Sequence, residues 1–269
     1  MSNFTRASTG TVPQIQPPIC VFYGGPDVGK TTFATTVPNS FFLMTEKGLG
    51  TNMAEHFQHD DGSPHVATDM SMLWQQMQAM KNEDFADVKY VVVDTLTAME
   101  QLIFTKVALD NDKPHIEEIG YGKGYQLALA YHQMVIQWAK ELQEQGKGVI
   151  FLAHEDVVKF DSPDSQSYDR YQIKLHKAAF RFYHEATDII GHCHMDAVIK
   201  SEDAGFNKEK ARAVSRGNRM VRLQTTPAAI AKNRFQLPAT LPLDWTKIHE
   251  GMVASVTNLQ EASRPEENK

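Results

Sequence analysis

The stretch Cys20–Val37, CVFYGGPDVGKTTFATTV, decides the fold. Ile19 and the apolar residues after it read as a buried strand, and KTTFATTV opens a helix, so the glycines between form a strand-to-helix turn. Gly24, then Gly25, Pro26, Asp27 and Val28, then Gly29, Lys30 and Thr31 fit G-x-x-x-x-G-K-[ST]. Glycines at both ends let backbone N–H groups close around phosphate oxygens, and a helix N-terminus favours the same anion. Lys30 is placed to reach the β- and γ-phosphates, the Thr31 hydroxyl is placed to ligate Mg²⁺, and Thr32 completes the loop. The stretch therefore predicts an ATP site, with Mg²⁺, built on Gly24 to Thr32.

Composition narrows the classes. At 269 residues and 42% hydrophobic, the chain can bury a full core. It contains no run of eighteen apolar residues, so no membrane span or membrane partner is expected. The first residues, MSNFTRASTGTVPQIQPP, lack the apolar core of a secretory signal. Cys20 and Cys193 both sit in apolar runs and read as buried free thiols of a reducing compartment, the cytoplasm. Net charge is −6, yet Asn207–Arg234 carries eight Lys/Arg against Glu209, a local +7 that leaves −13 for the rest. A basic face on an acidic body suits a polyanion or an acidic neighbouring subunit.

Residues 1–17 read as a flexible arm, 18–240 as the nucleotide-binding domain, and 241–269 as a terminal helix with an acidic tail. Strands are expected at Ile19–Tyr23, at SFFLMTE ending on Glu46, at VKYVVVDT closing on Asp94, and at GKGVIFLAH ending on His154. Helices are expected from TDMSMLWQQMQAMKN, from about Leu96 to Leu109, and from a long segment placing Leu127, Tyr131, Met134, Val135, Trp138 and Leu142 on one core face. The polar stretch EDVVKFDSPDSQSYDRYQIK reads as a functional loop. TDIIGHCHMDAVIK and ARAVSRGNRMVRLQT read as further strands, and a last helix spans about Leu243 to Leu259. Strands alternating with helices imply an α/β fold with a mostly parallel central sheet flanked by helices, plus a β-rich C-terminal extension.

In such sheets ligands bind beyond the carboxyl ends of the strands, and four of these ends carry polar groups. Beside the phosphate loop stands Asp94, an apolar run closing on a carboxylate roughly sixty residues downstream, placed to hold Mg²⁺ with Thr31. Glu46 could polarise the water that attacks the γ-phosphate, and His154 could sense that phosphate and signal into the loop behind it. Tyr168, Arg170, Tyr171, Lys174 and Lys177 interleave rings with cations, as single-strand binding requires. GHCHMD is not expected to bind zinc: His192 and His194 share a strand face, Cys193 faces away, and the sequence has no second cluster at ligand spacing.

Taken in order, GKTT, the strand ending TEKG, VVVD, the strand ending at His154 and AKNRFQLP (Ala231–Pro238) resemble the RecA-type ATPase core. With GYGKGY, residues 18 to about 240 are similar to phage-encoded ATPases of the single-strand-annealing class. The resemblance implies that Glu46 activates water, that His154 couples the γ-phosphate to a DNA loop at 155–177, and that a first DNA loop lies at Ile119–Tyr125. It also implies that Lys232 and Arg234 reach a neighbour's γ-phosphate in trans, with ATP between subunits of a homo-oligomer. Single-stranded DNA would be the partner, with a single-stranded-DNA-binding protein as a further one, in the host cytoplasm. The expected activity is a DNA-stimulated ATPase promoting annealing in recombination. A helicase or packaging motor, a small-molecule kinase using Lys208–Arg234 as a lid, and a nucleotide-gated binding module compete with it.

Overall fold

Ile19–Gly24 is buried at every position, as are four of the five residues of both Ser40–Met44 and Tyr90–Asp94. These runs show no period-two alternation because helices cover both faces of the sheet they form. The computed structural model describes residues 16–161, 166–203 and 209–262. Most of the expected arm (1–15), the tail (263–269), the middle of the predicted loop (162–165) and Lys208 lie outside the described residues, as do the side chains of Lys210, Arg212 and Arg216.

In chain order the elements are β1 (Ile19–Gly24), α1 (Lys30–Thr35), β2 (Ser40–Met44), β3 (Glu55–His56), α2 (Met70–Ala79), β4 (Tyr90–Asp94), α3 (Leu96–Asp110) and α4 (Lys123–Glu144). They continue as β5 (Gly148–Phe160), β6 (Tyr168–Ile173), α5 (Lys177–Ala186), β7 (Ile189–Asp203), β8 (Glu209–Arg222), β9 (Lys232–Asn233), β10 (Thr240–Pro242) and α6 (Trp245–Ala262). The sheet order is β10-β8-β7-β1-β5-β4-β2-β3. From β7 to β3 neighbouring strands are parallel, whereas β8, β9 and β10 join antiparallel. This is the α/β fold with a mostly parallel sheet flanked by helices that the sequence predicts, and its β-rich C-terminal part continues the same sheet.

Register sets the site. Gly24 lies beside His154 on one flank and Cys193 on the other, while Asp94 lies between Met44 and Leu152. Because β5 separates β1 from β4, His154 emerges between the phosphate loop and Asp94. Two cores hold this edge. One packs α2 to α5 against the sheet through Leu73, Met99, Val135, Trp138 and Tyr183. The other packs α1 and α6 on the opposite face, where the Trp245 ring meets Tyr90 (4.9 Å between centroids) and Phe33 (6.3 Å). The terminal helix is thus part of the core that carries the phosphate loop.

Three expectations change. β5 does not stop at His154; it runs on to Phe160 and returns as β6, paired from Glu155 opposite Ile173 to Phe160 opposite Tyr168. The polar segment is a β-hairpin because Val157, Val158, Phe160, Tyr168 and Tyr171 supply strand formers. Glu46 stands two residues beyond β2, which ends at Met44. In α4 the buried face is Ala128, His132, Val135, Ala139 and Leu142, while Leu127 (38% exposed) and Met134 (43%) flank it, so the predicted stripe is only half core.

Candidate phosphate-binding site

Two glycines fix the loop after β1. A Cβ at Gly24 would lie 2.4 Å from the Cys193 carbonyl oxygen, so β1 and β7 can approach only if position 24 is bare. Gly29 has φ +90°, a conformation that side chains disfavour, and Asp27 has φ +60°. The loop curls so that Lys30 Nζ donates to the carbonyls of Gly24 (2.9 Å) and Gly25 (2.8 Å). Burial lowers the Lys30 ammonium below its ordinary pKa, while nearby anionic groups including Asp94 oppose this. A buried cation held only by its own loop's carbonyls is poised to exchange them for phosphate oxygens.

Beside it, Thr31 Oγ1 donates to Asp94 Oδ2 at 2.9 Å. Asp94 is 2% exposed, and burial raises its carboxyl above the usual range, with the Thr31 hydroxyl pulling the other way. Two hard oxygen donors at this distance, one of them a buried carboxylate without a full counter-charge, fit a Mg²⁺ ion. The Thr45 hydroxyl accepts from Thr95 N (2.7 Å) and donates to Thr95 O (2.8 Å), tying the ends of β2 and β4 together.

His154 Nε2 lies 3.2 Å from Glu46 Oε1 and 3.5 Å from Oε2. That hydrogen bond, above all, holds the Glu46 carboxyl below its usual pKa. Glu46 is therefore ionised and oriented, as an acceptor for a water proton must be. His154 is itself fixed by its backbone N–H, which donates to Thr97 Oγ1 (3.0 Å). Lys30, Thr31, Asp94, Glu46 and His154 all line one cleft of about 330 Å³, with Pro26, Asp27 and Thr32 at its rim and Val28 buried beneath.

Lys232 and Arg234 are not brought to this cleft in their own chain. β9 pairs with Ile189 and Ile190, the first residues of β7, at the opposite edge of the sheet. Lys232 Nζ donates to the carbonyls of His184 (2.7 Å) and Glu185 (3.0 Å), and Arg234 to Asp188 Oδ1 (3.0 Å) and Glu185 O (3.2 Å). The sequence reading singled out neither Thr97 nor Glu155, whose Oε2 bonds His192 Nε2 at 3.0 Å while its other oxygen faces Gly25. It counted Arg219 only within the basic segment Asn207–Arg234, whereas Arg219 lines the cleft. His192 and His194 do share a face, their rings stacked at 5.5 Å.

The family model of AAA_24, an AAA domain, matches residues 16–235. The chain belongs to that family. It is an AAA-type P-loop ATPase family, and the matched span contains the whole cleft. Among solved structures, the flagellar accessory protein FlaH from Methanocaldococcus jannaschii is similar over 81% of this chain and 90% of that one, at 8% identity and a TM-score of 0.36. No curated protein sequence matches this chain. Among the described residues no helix is long and apolar enough to cross a membrane.

Proposed function

We propose that the chain is a Mg²⁺-dependent ATP hydrolase stimulated by single-stranded DNA, acting as a homo-oligomer in the annealing step of phage recombination. One observation carries the reading: β5 leaves the cleft at His154 and continues unbroken into the β5–β6 hairpin. A shift of the strand end at the phosphate is therefore a shift of the hairpin. On that hairpin the Arg170 guanidinium sits 4.0 Å over the Phe160 ring, and Tyr171, Lys159 and Lys174 are exposed. Rings alternating with cations suit stacked bases and their phosphates. Tyr121 is fully exposed in the loop before α4, and Tyr125 in the first turn of α4 stacks on His176 (4.6 Å) just beyond β6.

In the cleft, Lys30 and the loop N–H groups would hold the triphosphate, and Thr31 and Asp94 the metal. Mg²⁺ supplies charge neutralisation on the phosphate oxygens when bound. Glu46 accepts the proton of the attacking water, and His154 keeps the carboxylate aimed. For Lys232 and Arg234 to act in trans, subunits must stack head to tail, one sheet's N-terminal edge meeting the next one's cleft. The annealing and phage setting rests on the sequence resemblance.

ATPase rate measured with and without a single-stranded oligonucleotide tests the reading. A rise with DNA, and loss of ATP binding in Lys30→Ala, are expected. A rate indifferent to DNA ends the recombination reading. Turnover that needs a small acceptor makes the chain a kinase, and directional unwinding makes it a motor. Arg234→Ala should lose the stimulated rate, and mixing it with Lys30→Ala should restore part of it.

A further inference from the structure

Arg219 lies on β8, opposite Met195 of β7, where the pairing jumps from Met195–Arg219 to Ala197–Ser215. Such bulges re-aim side chains, and here the side chain turns toward the phosphate loop. A Cβ on Gly29 would lie 2.9 Å from Arg219 Cζ and 3.0 Å from Nε and Nη1, so the guanidinium rests on the bare α-carbon of the loop glycine. It lines the same cleft as Lys30, Asp94, Glu46 and His154. Its own backbone is fixed, because Arg219 O accepts from Leu243 N (2.9 Å). No carboxylate among the described residues pairs with it. Its neighbours differ: Arg222 Nη1 is 3.4 Å from His192 Nδ1, and Arg234 is paired with Asp188.

We propose that Arg219 is a phosphate-contacting catalytic residue supplied by the chain to its own cleft. The proposal rests on the ATP hydrolase reading and deepens it. In the step concerned, the water oxygen bonds to the γ-phosphorus while the bond to the β–γ bridging oxygen breaks. That electron pair stays on ADP, and the water proton goes to the Glu46 carboxylate and then to bulk. Charge grows on the bridging and equatorial oxygens. A planar guanidinium offers them two parallel N–H donors, which a lysine cannot. Position 29 must then be glycine for two reasons, its positive φ and the guanidinium that covers it.

The test compares Arg219→Ala, Arg219→Lys and wild type for ATP and ADP affinity, turnover, and binding of ADP with aluminium fluoride, a mimic of the transferring phosphoryl group. Arg219→Ala should keep ADP affinity within about threefold, lose its preference for ATP over ADP, and lose roughly 10²–10³-fold in turnover along with the aluminium fluoride complex. Arg219→Lys should recover ATP preference more than turnover. Mixing Arg219→Ala with Lys30→Ala should restore nothing, because each active cleft needs both residues from one chain. Wild-type turnover in Arg219→Ala overturns the proposal, and rescue in the mixture overturns its assignment to the chain's own cleft. If wild type binds ATP without cleaving it, the hydrolase reading fails, while Arg219 is still judged on its ATP-over-ADP preference.

Discussion

At the N-terminal edge of the sheet, Lys147, Lys232 and Arg234 are tied to protein acceptors. Lys147 Nζ donates to Met80 O (2.8 Å) and Phe85 O (2.6 Å), and the other two hold the carbonyls that end α5. At the C-terminal edge, Lys30 holds only its own loop's carbonyls and Arg219 rests on a glycine. The same residue types do different work at the two edges. Cations that complete the bonding of chain carbonyls stabilise the fold, since a buried carbonyl left without a donor costs about 1–3 kcal/mol. Cations whose acceptors are exchangeable are available to a ligand. The contrast predicts that changes at Lys30 or Arg219 alter turnover without melting the protein, and that a change at Lys147, which faces only its own chain, does the reverse.

The largest effect should come from Glu46→Gln. The amide keeps the shape and a hydrogen bond to His154 but cannot take a proton, so turnover should fall by about 10²–10⁴-fold. Nucleotide affinity and the melting temperature should stay near wild type. Turnover retained in Glu46→Gln would remove this carboxylate from the chemistry. At the opposite edge Lys147→Met keeps the buried stem and strands Met80 O, while Phe85 O keeps Val88 N (3.2 Å), a loss of roughly 1–3 kcal/mol in denaturant unfolding. Turnover per folded molecule should be unchanged. A Lys147→Met chain that is fully stable yet slow would dissolve the distinction between the edges.

What the sequence could and could not reveal follows the same division. The strand ends at Gly24 and Asp94 were legible because apolar runs close on them, and the buried part of β5 likewise closes on His154 although the strand continues beyond it. Arg219 was not, because its position comes from pairing with Met195 across the β7–β8 hairpin and from an irregular register that no local pattern announces. The trans role of Lys232 and Arg234 comes from the resemblance of AKNRFQLP, and no local pattern announces the acceptors, such as Glu185 O, that hold them within their own chain. The β5–β6 hairpin read as a loop because charged residues interrupt its strand formers and, of its paired residues, Ile173 alone is buried. In α4, Ala128 and Ala139 are small enough to bring the helix close to its neighbours, which turns Leu127 and Met134 outward.

The smallest predicted effect lies between the two edges, where an ionisable group is buried with neither a ligand nor a full set of partners. Glu100 of α3 is 4% exposed and accepts only His176 N (2.9 and 3.1 Å). His132 of α4 stands 3.5 Å away with its Nδ1 bonded to Tyr183 OH of α5 (3.1 Å). Burial pushes the Glu100 carboxyl up to about 7 and the His132 imidazole down to about 4. The folded chain therefore holds the Glu100 proton over a range, from about 4.5 to 7, in which the unfolded chain releases it. Stability attributable to Glu100 must fall as pH rises through that range. His132 works in the opposite sense: the unfolded chain gains a proton that the folded chain refuses as pH drops from about 6.5 to 4. The two slopes nearly cancel in wild type. Glu100→Gln keeps an acceptor for His176 N and never ionises, so its stability relative to wild type should rise by about 2 kcal/mol between pH 5 and pH 7.5. Unfolding midpoints of both proteins at the two pH values measure this difference directly. A constant difference would mean that Glu100 is ionised throughout and paired with a charged His132, making this interior site a third place where a cation is held by its neighbours.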